Sequence, residues 1–427
     1  MSRLADRALS RSDIKTLLLA ALGGALEFYD FIIFVYFALT IGQLFFPPDT
    51  PDWLRQLQAF GLFAAGYLAR PLGGLVMAHF GDRVGRKKMF TLSVLLMALP
   101  TLCMGLLPTY ADIGVAAPLL MLALRLLQGA AIGGEIPGAW VFVAEHAPAR
   151  HVGLACGMLT AGLTVGILAG STMASIVNTV LSPAQVLDYG WRLPFLLGGL
   201  FGFLAVWLRR WLDETPVFVA LRQRRALSRE LPLKAVLSAH WRTVLQSMLL
   251  TWLLTAAIVV LILMTPALLQ KLFAVPAAEA LRAGSAATLC LIAGCLLYGL
   301  GADRFGAARM LQAGSPALLA TAYALYLGVR TGTLPLLPTY ALTGLCVGVV
   351  GVIPTLIVQA FPPAVRFSGL SLSYNLAYAV FGGATPLIVT LLLQWSPQTA
   401  PAHYVGALCV ACFALALRGR PRIAQGS

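Results

Sequence analysis

The same short turn occurs twice in this chain, 221 positions apart, and each copy joins two long apolar runs. The first copy reads Asp82-Arg83-Val84-Gly85-Arg86-Lys87-Lys88-Met89 and the second Asp303-Arg304-Phe305-Gly306-Ala307-Ala308-Arg309-Met310. A second match runs nearly in step with it, pairing Ile136-Pro137 with Ile353-Pro354 and Arg150-x-x-Gly153 with Arg366-x-x-Gly369. Two matches at nearly one offset mark an internal duplication. A chain built this way folds as two copies of one bundle.

Composition says where that bundle lives. Of the 427 residues 59% are hydrophobic and only 11% charged, against about 25% charged in a soluble domain, and the mean hydropathy is +0.85. A bilayer core requires about 20 apolar residues per helix. Runs of that length begin near Leu17, Leu57, Met89, Gly114, Gly153, Leu193, Thr243, Ala283, Met310, Pro335, Phe367 and Ala402, six in each half. Barrel strands would alternate over about ten residues instead. The expectation is an all-α integral membrane protein of twelve transmembrane helices in two pseudo-symmetric six-helix bundles. It divides into a tail at 1–16, an N-terminal bundle at 17–210, a linker with short amphipathic helices at 211–242, a C-terminal bundle at 243–417 and a tail at 418–427. The basic flank and length of the first run suit a retained helix, not a cleaved signal.

A net charge of +14 invites the thought of nucleic acid, but the charge is not spread as a binding face. Of 30 Lys and Arg, 23 fall in one set of connections: the first tail, the Asp82 loop, Arg150, the stretch Arg209 to Arg242, the Asp303 loop, Arg366 and the last tail. The opposite set holds Arg55, Arg192, Lys271, Arg282 and Arg330. This asymmetry is the positive-inside pattern, and it puts both termini in the cytoplasm of a bacterial-type inner membrane with no nucleic-acid partner. The seven cysteines are odd in number and lie in apolar runs, so Cys409-x-x-Cys412 reads as packing, not as a redox or metal pair.

The segment Gly74-Leu75-x5-Gly81-Asp82-Arg83-x-Gly85-Arg86-Lys87 resembles the signature loop of the major facilitator superfamily. Finer features are Glu27-Phe28-Tyr29-Asp30-Phe31, Arg70-Pro71-x-Gly73-Gly74, Arg125-x-x-Gln128-Gly129-x3-Gly133-Gly134-Glu135 and Gly190-Trp191-Arg192-x-Pro194-Phe195. Glu214-Thr215-Pro216-x-Phe218 and Tyr374-Asn375-Leu376, with Phe381-Gly382-Gly383 and Pro386, complete a likeness to the metabolite:proton symporter branch. It spans nearly the whole chain and is weaker in the second half, where Ala307 and Ala308 replace basic residues of the loop. The resemblance implies alternating access, with Gly81, Asp82, Arg83, Gly85, Arg86, Asp303 and Arg304 as gating residues. An Asp at the end of a helix bundle can accept from helix N-terminal amides and from Arg groups across the two halves, and Gly81 and Gly85 suit a tight turn. The lysines beside them read as topology signals that meet anionic headgroups.

Charges inside the apolar runs carry the chemistry, because an ionisable group at mid-bilayer costs at least about 2.5–3.5 kcal/mol and usually faces a cavity or a partner. Glu27, Asp30, Arg70, Arg125 and Glu135 qualify. Glu27 and Asp30 share one side of their helix; two acids at close range could repel and hold one of them protonated. Proton coupling falls to Asp30, Glu27 or Glu135. Arg125 resembles the family's fourth-helix Arg implicated in proton handling, with salt-bridge scaffolding as the other reading. Arg70 is either a substrate group or a partner for Glu135. Substrate contacts are assigned to Arg70, Arg125, Gln128, Tyr29, Tyr374 and Asn375. Gly382, Gly383 and Pro386 could let the eleventh helix bend.

No nucleophile elbow, His-Glu-x-x-His pair or ligand cluster argues for an enzyme, and no metal or cofactor is expected. The reading is a monomeric carrier, its partners a small carboxylate or zwitterion, protons and the lipid bilayer. A citrate-like carboxylate leads, because relatives in the family carry carboxylates. A proton-driven exporter of drug- or siderophore-like compounds is the alternative.

Overall fold

In the computed structural model residues 9–223 and 232–417 are described, with the exception of a few side chains that include Glu27. The first half builds α1 (Arg11–Tyr36), α2 (Asp52–Val84), α3 (Arg86–Leu106), α4 (Ala116–His146), α5 (Val152–Val180) and α6 (Arg192–Arg209). The second builds α7 (Trp241–Phe273), α8 (Ala277–Phe305), α9 (Ala307–Thr331), α10 (Leu336–Ala360), α11 (Arg366–Trp395) and α12 (Ala400–Leu417). Eleven of these are long and apolar enough to cross a membrane by themselves. The other, α9, is a 25-residue helix with Arg309 and Arg330 near its ends, packed against α10 and α12.

Local chemistry sets the ends of these helices. Ser10 and Asp13 form a capping box at the start of α1, Asp13 N donating to Ser10 Oγ at 3.2 Å and Ser10 N to Asp13 Oδ2 at 2.8 Å, which satisfies amides that no helix turn could reach. The duplicated turns rest on Gly85 and Gly306, whose φ values of 136° and 96° suit glycine alone. Gly81, expected in the same turn, lies inside α2 instead. A Cβ there would overlap the Phe367 ring of α11, so its smallness serves packing between the halves. Short helices at Pro216–Gln223 and Pro232–Ala239 flank linker residues 224–231, which, like the tails at 1–8 and 418–427, fall outside the described residues.

Each half packs around small-residue crossings. In the first, α2 lies on α4 with Gly129 and Gly133 so close to the Gly66 and Arg70 carbonyls that any Cβ would overlap them. The glycines of the Arg70 and Arg125 motifs therefore set how closely those two arginines approach. The halves meet along two seams of the same kind, α2 and α4 against α11, and α5 against α8 at Gly153, Gly157 and Gly299. Three helices of the second half depart from regular α geometry, α7 at Ala257–Met264, α10 at Gly348–Val352 and α11 at Tyr378–Gly382. The α11 irregularity begins just before the Gly382-Gly383 pair, at the level of its aromatic residues.

Candidate functional site: a gated seam, a buried acid and two clefts

The end of the molecule that carries the duplicated turns is closed. Asp82, 3% exposed, accepts from Ser368 N at 3.0 Å and Ser368 Oγ at 2.8 Å, at the first turn of α11, with Arg86 3.6 Å away. Asp303 does the same in the other half, accepting from Gly153 N at 2.6 Å and Leu154 N at 2.9 Å at the first turn of α5. Each repeated Asp thus sits on a helix N-terminus across the seam, where the amides and the helix dipole favour a negative charge. The first copy carries more. Arg86 pairs with Glu145 and donates to the Pro363 carbonyl at 2.7 Å, Arg366 joins Glu145 at 2.9 Å, and Thr215 donates to Glu145 at 2.9 Å. In the second copy Ala307 and Ala308 stand at the equivalent positions and Arg304 is exposed, its guanidinium 5.3 Å from the Phe305 ring. Arg83 is likewise exposed.

The opposite end is open between the halves. A cleft with about 580 Å³ of room for solvent runs between the later turns of α5, the later turns of α7 and the early turns of α8, with Ser171, Asn178, Gln270 and Thr288 on its wall. Closed turns at one end and a cleft at the other describe a single-sided access state.

Between the ends lies Asp30, 3% exposed. Its Oδ2 accepts from Thr101 Oγ1 of α3 at 2.7 Å; Thr101 Oγ1 accepts from Gln128 Nε2 at 2.8 Å; Gln128 Oε1 accepts from Arg125 Nη1 at 2.5 Å. Every donor in this chain points towards the carboxylate. The Met97 carbonyl lies 3.0 Å from Thr101 Oγ1, within reach as another acceptor for the same hydroxyl. Asp30 Oδ1 has no hydrogen-bond partner among the described residues and faces Gly198 of α6, where a Cβ would overlap it. Tyr29, one residue earlier, donates to the Pro194 carbonyl at 3.3 Å inside the bundle, away from the clefts described below. Glu27 belongs to α1, but its side chain is outside the described residues.

Glu135 has different company. It does not pair with Arg70. Its Oε1 takes Arg209 Nη2 at 2.5 Å, and its Oε2 takes Arg209 Nη1 at 3.2 Å together with Ser93 Oγ. Both Glu135 and Arg209 are 0% exposed. Arg209 also donates to the Phe90 carbonyl at 2.5 Å and lies 3.6 Å from the Phe90 ring. Charge counting places Arg209 with the basic connections; the fold turns it inward, where Glu135 of α4 and the Phe90 carbonyl of α3 receive it.

Two clefts flank an aromatic column. One, with about 20 Å³ of room for solvent, lies between α2 and α4 and is lined by Tyr67, Arg70, Arg125 and Gln128. The other, with about 10 Å³ of room for solvent, lies between the halves and is lined by Phe28, Trp140, Thr160, Thr164, Tyr374 and Tyr378. Tyr67 stacks on Tyr378 at 6.4 Å, Tyr378 touches Tyr374 at 4.5 Å, and Tyr374 meets Trp140 edge-on at 5.1 Å. The Arg70 guanidinium sits 4.7 Å from the Tyr378 ring. Trp140 is 1% exposed and its Nε1–H has no hydrogen-bond partner among the described residues. Asn375, expected on a cavity wall, lies instead in the closed seam and donates to the Gly133 carbonyl at 2.6 Å and the Ser371 carbonyl at 2.9 Å. That contact is open to it because Gly74 and Gly133 leave room for the amide.

Comparison with known proteins agrees with this architecture. The family model described as Major Facilitator Superfamily matches residues 18–386. The chain belongs to the major facilitator superfamily. Among curated relatives, a citrate-proton symporter of Klebsiella pneumoniae is 33% identical over 398 residues, covering 92% of this chain and 88% of that one. A proline/betaine transporter of Salmonella typhimurium is 29% identical over 415 residues, covering 93% and 81%. Among solved structures, the proton:xylose symporter XylE bound to 6-bromo-6-deoxy-D-glucose matches with a TM-score of 0.79 at 15% identity over 95% of each chain. FucP in its outward conformation matches with a TM-score of 0.72 at 15% identity, over 96% of this chain and 99% of that one. As a member of the superfamily the protein has the twelve-helix fold, spans a membrane many times and is a secondary transporter, not an enzyme.

Proposed function

We propose that this superfamily member carries a small organic anion or zwitterion together with protons, a citrate-like carboxylate leading, across a bacterial inner membrane with both termini in the cytoplasm. The observation that carries the reading is the directed chain from Arg125 through Gln128 and Thr101 to Asp30. A carboxylate at Asp30 receives the Thr101 hydroxyl; once Asp30 is protonated, that hydroxyl can turn to the Met97 carbonyl and accept in its place. The proton would then sit on Asp30 Oδ2, which donates to Thr101 Oγ1, and Oδ1, without a partner among the described residues, is left as the carbonyl oxygen of the neutral acid. The same chain ends on Arg125 and Gln128 in the wall of the Arg70 cleft. Occupancy by a substrate carboxylate there would draw on the cations that orient the chain, which couples loading of the anion to loading of the proton.

Arg70 and Arg125 would hold the carboxylate, and Tyr374, Tyr378 and the Trp140 indole, whose N–H has no partner among the described residues, would contact the rest of the molecule from the second cleft. An unsatisfied buried donor costs about 1–3 kcal/mol, which a substrate acceptor would relieve. Asp82 and its ion cluster would hold the closed end while Asp303 contributes through two amides alone.

The test is proton flux in proteoliposomes, with citrate, proline and glycine betaine added as probes on the acidic side. At least one probe should enter with protons and accumulate under a pH gradient. Entry that proceeds at the same rate and to the same level without a gradient would make the protein a uniporter and defeat the reading.

A further inference from the structure

The closed end also carries a groove that lies apart from the two clefts and the buried acid. Between the start of α3 and the linker helix Pro216–Gln223 is an open groove with about 650 Å³ of room for solvent, where Lys87, Lys88 and Arg222 converge from two separate segments. Among the described residues one acid lines it, Glu214, and its carboxylate is already engaged: it accepts Lys87 N at 3.1 and 3.3 Å and Thr215 N at 2.9 Å. Three cations against one carboxylate leave the groove with an excess of positive charge. The groove continues onto a shelf of indoles. Lys87 Nζ donates to the Arg210 carbonyl at 3.5 Å, the Arg210 guanidinium lies 4.2 Å from Trp207 and 4.8 Å from Trp211, and the Lys15 ammonium lies 5.3 Å from Trp211. Trp207 and Trp211 are 47% and 48% exposed, and Val84 and Val219, on the groove itself, 48% and 40%. Half-exposed indoles beside Lys and Arg, at the end of a membrane-length helix, are the side chains that settle in a headgroup layer.

We propose that this groove binds the phosphate of an anionic phospholipid, with Lys87, Lys88 and Arg222 on the headgroup and Trp207, Trp211 and Val84 along its glycerol and upper acyl carbons. A lipid fits better than free phosphate because the exposed apolar side chains flanking the cations would otherwise stand in water. The groove also has a purpose beyond anchoring. The segment that forms its far wall holds the gate: Glu214 caps the first turn of α3 and Thr215 donates to Glu145, the acid shared by Arg86 and Arg366. An anion bridging Lys88 and Arg222 fixes the linker helix against α3 and with it the Thr215–Glu145 contact. The bound lipid stabilises the closed end, as any ligand stabilises the state that binds it.

The inference is independent of the substrate and is tested on the full chain in nanodiscs of phosphatidylcholine with and without phosphatidylglycerol. Competition between the two lipids for the wild-type protein should favour phosphatidylglycerol. Lys88→Gln with Arg222→Gln should lower that preference about five-fold per cation removed, from the worth of a basic residue near an anionic surface. Lys88→Arg with Arg222→Lys keeps the charge and should keep the preference, which separates loss of the site from loss of fold. Phosphatidylglycerol should also slow amide hydrogen exchange over residues 214–223 in the wild type and in the charge-keeping variant, and not in the Gln variant. Equal binding of the two lipids, an unchanged preference in the Gln variant, displacement by millimolar inorganic phosphate, or exchange indifferent to the lipid would each overturn the proposal.

Discussion

Asp30 and Glu135 are two acids buried to nearly the same degree in one bundle, 3% and 0% exposed, and they are arranged for opposite ends. Glu135 has one guanidinium, that of Arg209, donating to both of its oxygens, and a hydroxyl besides. Asp30 has one hydroxyl on one oxygen, no partner among the described residues on the other, and its arginine two side chains away along a hydrogen-bonded chain. In the proposed reading, burial alone does not make a proton carrier. What separates the two is whether the counter-charge is fixed to the carboxylate or reaches it through groups that can turn.

The comparison is sharpest where it predicts loss of the fold. Glu135→Gln leaves Arg209 buried without its carboxylate and should cost about 3–5 kcal/mol, seen as a fall in folded yield and melting temperature in detergent. A variant that melts like the wild type would mean that Glu135 is as free to be neutral as Asp30. Pairing Glu135→Gln with Arg209→Leu removes both charges and should restore most of that stability, since an apolar replacement of a whole buried pair is often close to neutral. If the double variant is no better folded than the single one, the ion pair is not what the single change broke. A smaller effect belongs to Thr101→Val. Loss of one hydrogen bond of about 1 kcal/mol should slow gradient-driven uptake about five-fold with the folded yield nearly unchanged, and an uptake rate equal to wild type would remove Thr101 from the path.

Much of this frame was legible beforehand. The repeated Asp turns announced two halves, and the expectation that such an Asp takes helix N-terminal amides matches both Asp82 on α11 and Asp303 on α5. What could not be read was the facing of individual side chains. Helices apolar all round carry almost no directional signal in their sequence, so nothing marked Thr101, Ser93 or Trp140 as inward, nor Asn375 as a seam residue. Arg209 was misassigned for a related reason. It stands at the end of an apolar run among other basic residues, and only the packing of α6 beside α3 and α1 turns it towards Glu135 while Arg210 stays outside. Gly81 and Gly85 looked alike in one motif; their separation needed backbone angles, φ of 136° for Gly85 and a helical place against Phe367 for Gly81.

The most direct test of the account is Asp30→Asn in proteoliposomes, using the probe selected by the flux screen and measuring two activities on one preparation. The account predicts a folded protein that no longer accumulates substrate under a pH gradient, yet still exchanges internal for external substrate at equal pH. Accumulation at the wild-type level in Asp30→Asn would contradict it and return the proton to another group.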